Sequence, residues 1–332
     1  MDHTLFILTF VTALAFDFVN GFHDAANSIA TVVTTHVLTP RLAVAWAAFF
    51  NFLAAFTFGV GVALTVGKGV VHPESVTVPV VFSALLGAVI WNLLTWWWGL
   101  PSSSSHALIG GLAGAVIAYQ GPELLNWGKI AIIASFIIVA PIMGMALGML
   151  NQIIVYLLVG KRTKHGVNRT FRRLQLLSAA IYSFSHGTND AQKTMGILFA
   201  LMVSAGYLKA DASMPVWLIF LCYAVIAAGT LFGGFRIVRT MGSKITKLDP
   251  MHGFCAETGG GVTILAVSHF GIPVSTTHTI TGAIAGVGLS TGIKSVRWPV
   301  ATKILWAWLF TIPVAGVLAA LTFIILAAFG VK

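Results

Sequence analysis

The sequence predicts an all-α polytopic membrane protein, and three observations carry that prediction. Of its 332 residues, 58% are hydrophobic and only 8% are charged, against roughly 25% charged in soluble domains, and the mean hydropathy is +0.93. About ten apolar stretches approach the 20 residues that cross a hydrocarbon core. The ten-residue alternation of a membrane barrel is absent, so backbone facing lipid must satisfy its hydrogen bonds within helices. This composition excludes a disordered, fibrous or nucleic-acid-binding protein. The net charge of +10 is confined to a few loops, where it reports orientation. Cys222 and Cys255 are the two cysteines; they form neither a disulfide framework nor a zinc spacing, so no structural metal site is expected. Met1 to Thr4 is not the basic start of a signal peptide.

The segments expected to span are 5–30, 42–66, 78–98, 102–120 and 126–158, then 176–206, 215–238, 252–270, 272–290 and 298–329. Between the fifth and sixth lies a basic stretch with Lys161, Arg162, Lys164, Arg169, Arg172 and Arg173. The next basic loop, Arg236, Arg239, Lys244 and Lys247, lies two spans away and therefore on the same side. The positive-inside rule makes that side cytoplasmic. Counting outward, Arg41, Lys294 and Arg297 also fall inside, whereas Lys68, Glu74, Glu123, Lys209 and Asp211 fall outside, and both termini are expected on the outer face. Segments 102–120 and 272–290, at the Pro101 and Pro273 elements, are candidates for broken or re-entrant helices instead of full spans.

Two motifs recur in order. Asp17-Phe-Val-Asn20-Gly21-Phe-His23-Asp24-Ala-Ala-Asn27 corresponds to Ser183-Phe-Ser-His186-Gly187-Thr-Asn189-Asp190-Ala-Gln-Lys193 at a shift of 166. Pro101 to Gly114 corresponds to Pro273 to Gly286 at a shift of 172, with Ser103-Ser104-Ser105-His106 over Ser275-Thr276-Thr277-His278. Two such pairs argue for duplication. Five segments per half is an odd number, so the second copy enters the membrane upside down. The expected domains are a first inverted repeat over 1–159, a basic cytoplasmic linker over 160–175 and a second repeat over 176–332. Inverted repeats mark secondary transporters with a site near the midplane.

On a helix, Asp17, Asn20, Asp24, Asn27 and Thr31 form one polar stripe, and Ser183, His186, Asp190 and Lys193 form its counterpart. A carboxylate at the bilayer centre costs ~2.5–3.5 kcal/mol on insertion scales, so Asp17, Asp24, Asp190 and Glu257 must face a protein-lined, hydrated cavity. The bland alternative is a polar packing seam, for which Asn and Ser would suffice. Pro101 and Pro273 suit helix starts, which would leave free N–H groups beside three hydroxyls in each copy. Ser103, Ser104 and Ser105, with Ser275, Thr276 and Thr277, can replace the hydration shell of an oxyanion from two sides; ordinary N-capping is the competing role. His106 and His278 either orient these hydroxyls or carry a proton. Gly259-Gly260-Gly261 is a candidate hinge or unwound turn. Nothing here forms a nucleotide loop. Ser105 and His106 are adjacent, about 100° apart on a helix, which is poor geometry for a nucleophile and its base, so no enzymatic activity is expected.

These motifs resemble the inorganic phosphate transporter (PiT) family over essentially the whole chain, and most closely its bacterial low-affinity branch. The family's signature reads roughly G-x-N-D-x-A-N, here Gly21 to Asn27 and Gly187 to Lys193, with a second element P-[VIL]-S-x-[ST]-H. The resemblance implies two inverted repeats, a homodimer in the bacterial inner membrane, and symport of inorganic phosphate with a cation, H+ or Na+. It implies coupling-ion roles around Asp24, Asp190 and Glu257, with Asn20 and Asn189 beside them and Asp17, His106 and His278 in support. Phosphate would be held by the hydroxyls, Asn27 and Lys193. No cofactor is implied. Bacterial members are also associated with neutral metal–phosphate complexes, in which a divalent metal rides with the anion. Two departures stand out: Asn51 replaces a carboxylate common in relatives, and Lys193 replaces the second motif's Asn. An ammonium one turn from Asp190 would take a sodium ion's place and favour protons, with Asp24 or Glu257 as carrier; alternatively Lys193 binds the anion as a point charge. A sulfate symporter of the same family and a passive anion channel are the competing readings.

Overall fold

The computed structural model describes residues 3–57 and 59–331. Met1 and Asp2, and the side chains of Lys68, Pro73 and Lys164, lie outside that description. Twelve α-helices account for most of the described residues: α1 (His3–Thr34), α2 (Pro40–Leu53), α3 (Gly61–Gly69), α4 (Val78–Trp98), α5 (Ser104–Gln120), α6 (Trp127–Val159), α7 (Lys164–Ser204), α8 (Val216–Phe232), α9 (Phe235–Ser243), α10 (Pro250–His269), α11 (Thr276–Thr291) and α12 (Trp298–Ala328). Among the described residues there is no β-strand, only an isolated antiparallel bridge between Val71 and Leu125.

By length and composition, α1, α2 with its trailing turn, α4, α6 and α12 can each cross a membrane, and α8 with α9 makes a sixth if the bent pair counts as one span. This is fewer than the ten segments the hydropathy suggests. The difference lies in α5, α7, α10 and α11. Helices α5 and α11 have only 17 and 16 residues, and α7 and α10 carry the polar residues that other helices bury.

Two expected spans are interrupted rather than continuous. Segment 42–66 becomes α2, a 3-10 turn (Ala54–Thr57) and α3. The Gln192 side-chain carbonyl accepts from the Val62 and Ala63 N–H groups at 2.9 and 3.3 Å, satisfying donors that the start of α3 leaves open. Segment 215–238 becomes α8 and α9, bent by 73°. Gly233 sits at the bend with φ +67°, a conformation that a side chain would strain. By contrast, Gly259-Gly260-Gly261 is neither hinge nor unwound: α10 runs straight through it. These glycines serve close packing, since a Cβ on Gly259 would lie 2.6 Å from the Gly148 nitrogen. The basic stretch 160–175 is largely helical too, because α7 starts at Lys164 behind a Thr163 cap.

Helix packing pairs up between the two halves. Helix α1 packs on α8 and α9 as α7 packs on α2 and α3. Likewise α1 packs on α4 as α7 does on α10, α4 on α12 as α10 on α6, and α5 on α12 as α11 on α6. Pro141 inside α6 and Pro313 inside α12 stand 172 residues apart, the same shift as the second motif. Small residues let the backbones approach. A Cβ on Gly21 of α1 would fall 2.9 Å from the Ile226 carbonyl carbon of α8. Gly21→Val is therefore expected to wedge the two helices apart at a cost of about 1–3 kcal/mol, read as a lower thermal unfolding midpoint in detergent; an unchanged midpoint would contradict this packing.

Candidate functional site

Helices α5 and α11 begin beside one another, and the local sequence explains why. Pro101 and Pro273 stop any helix from running in, and the next serines cap the helices that follow. The Ser103 hydroxyl accepts from the His106 N–H at 3.2 Å, and the Ser275 hydroxyl accepts from the His278 N–H at 3.2 Å. The hydroxyls of the next turn are left for other work. The two starts meet where Ser105 donates to the Val274 carbonyl at 3.3 Å.

The polar stripes of α1 and α7 flank this junction. Asn27 donates to the Thr277 and Thr276 hydroxyls at 2.8 and 3.3 Å. Those hydroxyls in turn donate to carboxylates, Thr277 to Asp24 and Thr276 to Asp190, each at 3.5 Å. Asp24 also lies 2.6 Å from His23 Nδ1, and the far nitrogen of that ring meets Thr95 at 3.2 Å and Ser102 at 3.4 Å. Across the chamber, Lys193 Nζ donates to Asp190 at 2.6 Å, to the Val274 carbonyl at 3.1 Å, and to the Ser105 hydroxyl. Asn189 donates to Asp190 at 2.8 Å and to the Val274 carbonyl at 2.7 Å. His186 Nε2 stands 3.5 Å from Asp190, and its Nδ1 is 3.2 Å from Asn51. All of these side chains are buried.

A second cluster surrounds Glu257. Its carboxylate accepts from Thr31 at 2.5 Å, from Gln175 at 3.0 Å and from Ser178. Thr35 extends the network by donating to Gln175 at 2.8 Å and lines a cavity of about 860 Å³ with Arg162, His165 and His36. Glu257 thus stands between Thr31, one turn from Asn27, and a cavity on the basic side. Asp17 accepts from Thr194 at 2.8 Å, while Asn20 lies buried near it in sequence, with no protein partner for its amide.

The structure therefore brings together Ser105, Thr276, Thr277, Asn27, Lys193, Asp24, Asp190 and Asn189. Ser103 and Ser275 serve as caps, and Glu257 and Asp17 stand in clusters of their own. His106 and His278 pair with each other, ring centroids 4.9 Å apart; His278 also stacks on Trp308 at 4.0 Å. The sequence places His186 on the second polar stripe without a site role, and gives none to His23, Gln175, Ser178 or Thr194. The signal was present for His186, which the 166-residue shift sets over Asn20, and for Thr194, set over Ser28.

Several buried polar atoms lack a partner among the described residues, among them Asn27 Oδ1, Asp17 Oδ2 and both side-chain atoms of Asn20 along the α1 stripe, and Ser104 Oγ at the start of α5. Each would cost about 1–3 kcal/mol if left dry, so their concentration points to water or solute reaching this region. Ligand atoms of Asp24, His186 and Asp190 lie within 4.8 Å of one another, a grouping that can hold a cation.

A buried cluster of hydroxyls, amides and carboxylates among long apolar helices fits an integral membrane protein built to pass a polar solute: a transporter. The chain belongs to the phosphate transporter family, which it matches over residues 20–319. It is 55% identical over 94% of its length to a protein of Rhizobium meliloti (strain 1021), named "Probable low-affinity inorganic phosphate transporter", of which 93% is covered. A Bacillus subtilis (strain 168) protein of the same name is 43% identical, with 97% of each chain covered. Among solved structures, "The sodium-dependent phosphate transporter" superposes with a TM-score of 0.87 at 26% identity, over 98% of this chain and 99% of that one.

Proposed function

We propose that this chain is a secondary symporter that imports inorganic phosphate together with a proton by alternating access. The observation that carries this reading is the meeting of two hydroxyl-bearing helix starts, Ser104–Ser105 and Thr276–Thr277, beside Asp24 and Asp190 in one buried cluster. Helix starts and hydroxyls suit a tetrahedral oxyanion. Carboxylates alongside them suit an anion that still carries a proton to donate, which phosphate does near neutral pH and sulfate does not. Matched packing of the halves and the paired Pro141 and Pro313 support inverted repeats, with α5 and α11 re-entering at the Pro/Ser/His motifs. The family supports a homodimer in the bacterial plasma membrane, and the basic loops support outer termini.

The coupling ion turns on Lys193. Its ammonium takes three oxygen acceptors, from Asp190, Ser105 and Val274, which is the surrounding that a hard cation would seek. With that charge fixed in place, a second cation at Asp190 meets repulsion. Protons then couple through Asp24 or Glu257. In proteoliposomes, an imposed inward proton gradient is expected to concentrate labelled phosphate, and a sodium gradient alone is not; accumulation driven by sodium alone would refute the proton reading. Equal uptake under no gradient would favour a passive channel, and full competition by sulfate would favour a sulfate carrier.

The Asp24, His186 and Asp190 grouping favours a second reading, in which a divalent metal enters with phosphate as cargo. Mn2+ is then expected to raise phosphate uptake and to enter in step with it. Uptake unaffected by chelation would remove this reading.

A further inference from the structure

An apolar groove lies apart from the buried polar cluster. It lies between α6, α11 and α12, has a volume of about 300 Å³, and is walled by side chains including Ile138, Pro141, Ile245, Ala285, Ala301 and Trp308. No charged side chain lines it. At its mouth, two chain segments are clasped: the Arg297 N–H donates to the Ile245 carbonyl and Thr246 donates to the Ser295 carbonyl, both at 2.9 Å. These segments present Lys244, Lys247, Lys294 and Arg297, all exposed. Among the described residues none of the four has an acidic partner. The one carboxylate of that loop, Asp249, is occupied in capping α10 and pairing with His252 at 2.8 Å. Trp298, half-exposed at the groove's rim, suits the headgroup level.

We propose that this groove binds one anionic phospholipid, its acyl chain lying along α11 and its phosphate held by Lys244, Lys294 and Arg297. Charge complementarity selects this occupant. An apolar slot alone would accept any lipid, whereas four unpaired cations on the segments at its mouth favour a headgroup with net negative charge, each worth about fivefold in affinity near a membrane surface. The bound chain also backs Trp308, whose ring stacks on His278 at 4.0 Å, directly behind the Thr276–Thr277 start of α11. The lipid therefore supports the wall of the anion chamber from the membrane side.

Native mass spectrometry and thermal unfolding of the full detergent-purified chain, with phosphatidylglycerol or phosphatidylcholine added, test this. The parent protein is expected to retain phosphatidylglycerol at least about fivefold over phosphatidylcholine and to be stabilised by it alone. The triple variant Lys244→Gln, Lys294→Gln, Arg297→Gln should bring the two lipids to parity. Ala301→Trp, which fills the slot with the charges intact, should lose the bound lipid; if that variant does not fold, the charge variant decides. Equal retention of both lipids by the parent, or an unchanged preference in the triple variant, overturns the proposal. Phosphate uptake enters none of these readouts, so they stand apart from the transport reading.

Discussion

Replacing Asp24 by Asn is expected to lower gradient-driven phosphate uptake about a hundredfold, equivalent to ~2.7 kcal/mol, while leaving the chain folded. Asparagine keeps the shape of the side chain and can still accept from Thr277, so the packing around α1 survives. What disappears is the charge that pairs with His23 at 2.6 Å and the oxygen that can take up or release a proton. Hydrogen bonds to charged groups contribute about 1.5–3 kcal/mol each, which sets the size of the loss. Initial uptake rates in proteoliposomes, read beside the thermal unfolding midpoint, check it. Uptake within a few-fold of the parent would remove Asp24 from the coupling step.

Asp190→Asn should behave differently, because it strands a buried cation. Lys193 and Asp190 lie 2.6 Å apart and both are buried. Breaking such a pair from one side destabilises by about 3–5 kcal/mol, so the midpoint should fall sharply along with transport. Adding Lys193→Met removes the stranded charge and should recover most of the stability but none of the uptake. Lys193→Asn alone, which restores the residue of the family's motif, frees Asp190 and its oxygen neighbours for a small cation. A new stimulation of uptake by sodium is expected in that variant. If Lys193→Asn stays indifferent to sodium while remaining folded, the ammonium is not standing in for an ion.

Much of this arrangement was legible before any coordinates. The helix boundaries follow hydropathy to within a few residues at α4 and α12, because lipid allows a long apolar stretch little other conformation. The polar stripes were legible too, since helical periodicity alone sets Asp24 and Asn27 on one face. Their partners were not. That Asn27 meets Thr277, or that Lys193 reaches Ser105, depends on contacts across more than eighty residues of chain. The break between Thr57 and Gly61 and the bend at 233–234 are not legible in the sequence because glycines in apolar runs signal close packing and bending alike; Gly259-Gly260-Gly261 invites the opposite error for the same reason. Glu257 stands out in the sequence as a charge in an apolar segment and through the family resemblance, but neither shows what holds it. The donors that hold it, Gln175 and Ser178, lie in a stretch that reads as the edge of a basic linker.

Equilibrium phosphate binding to the purified chain, measured by titration calorimetry for the parent, Ser105→Ala, Thr277→Val and the double variant, tests most directly whether one chamber built from both halves holds the anion. Each single change, one on either half, is expected to weaken binding about tenfold or more, and the double variant to fall short of the product of the two because the groups share one ligand. Binding unaffected by either change, or two effects that multiply independently, would mean that the two helix starts do not grip a common phosphate.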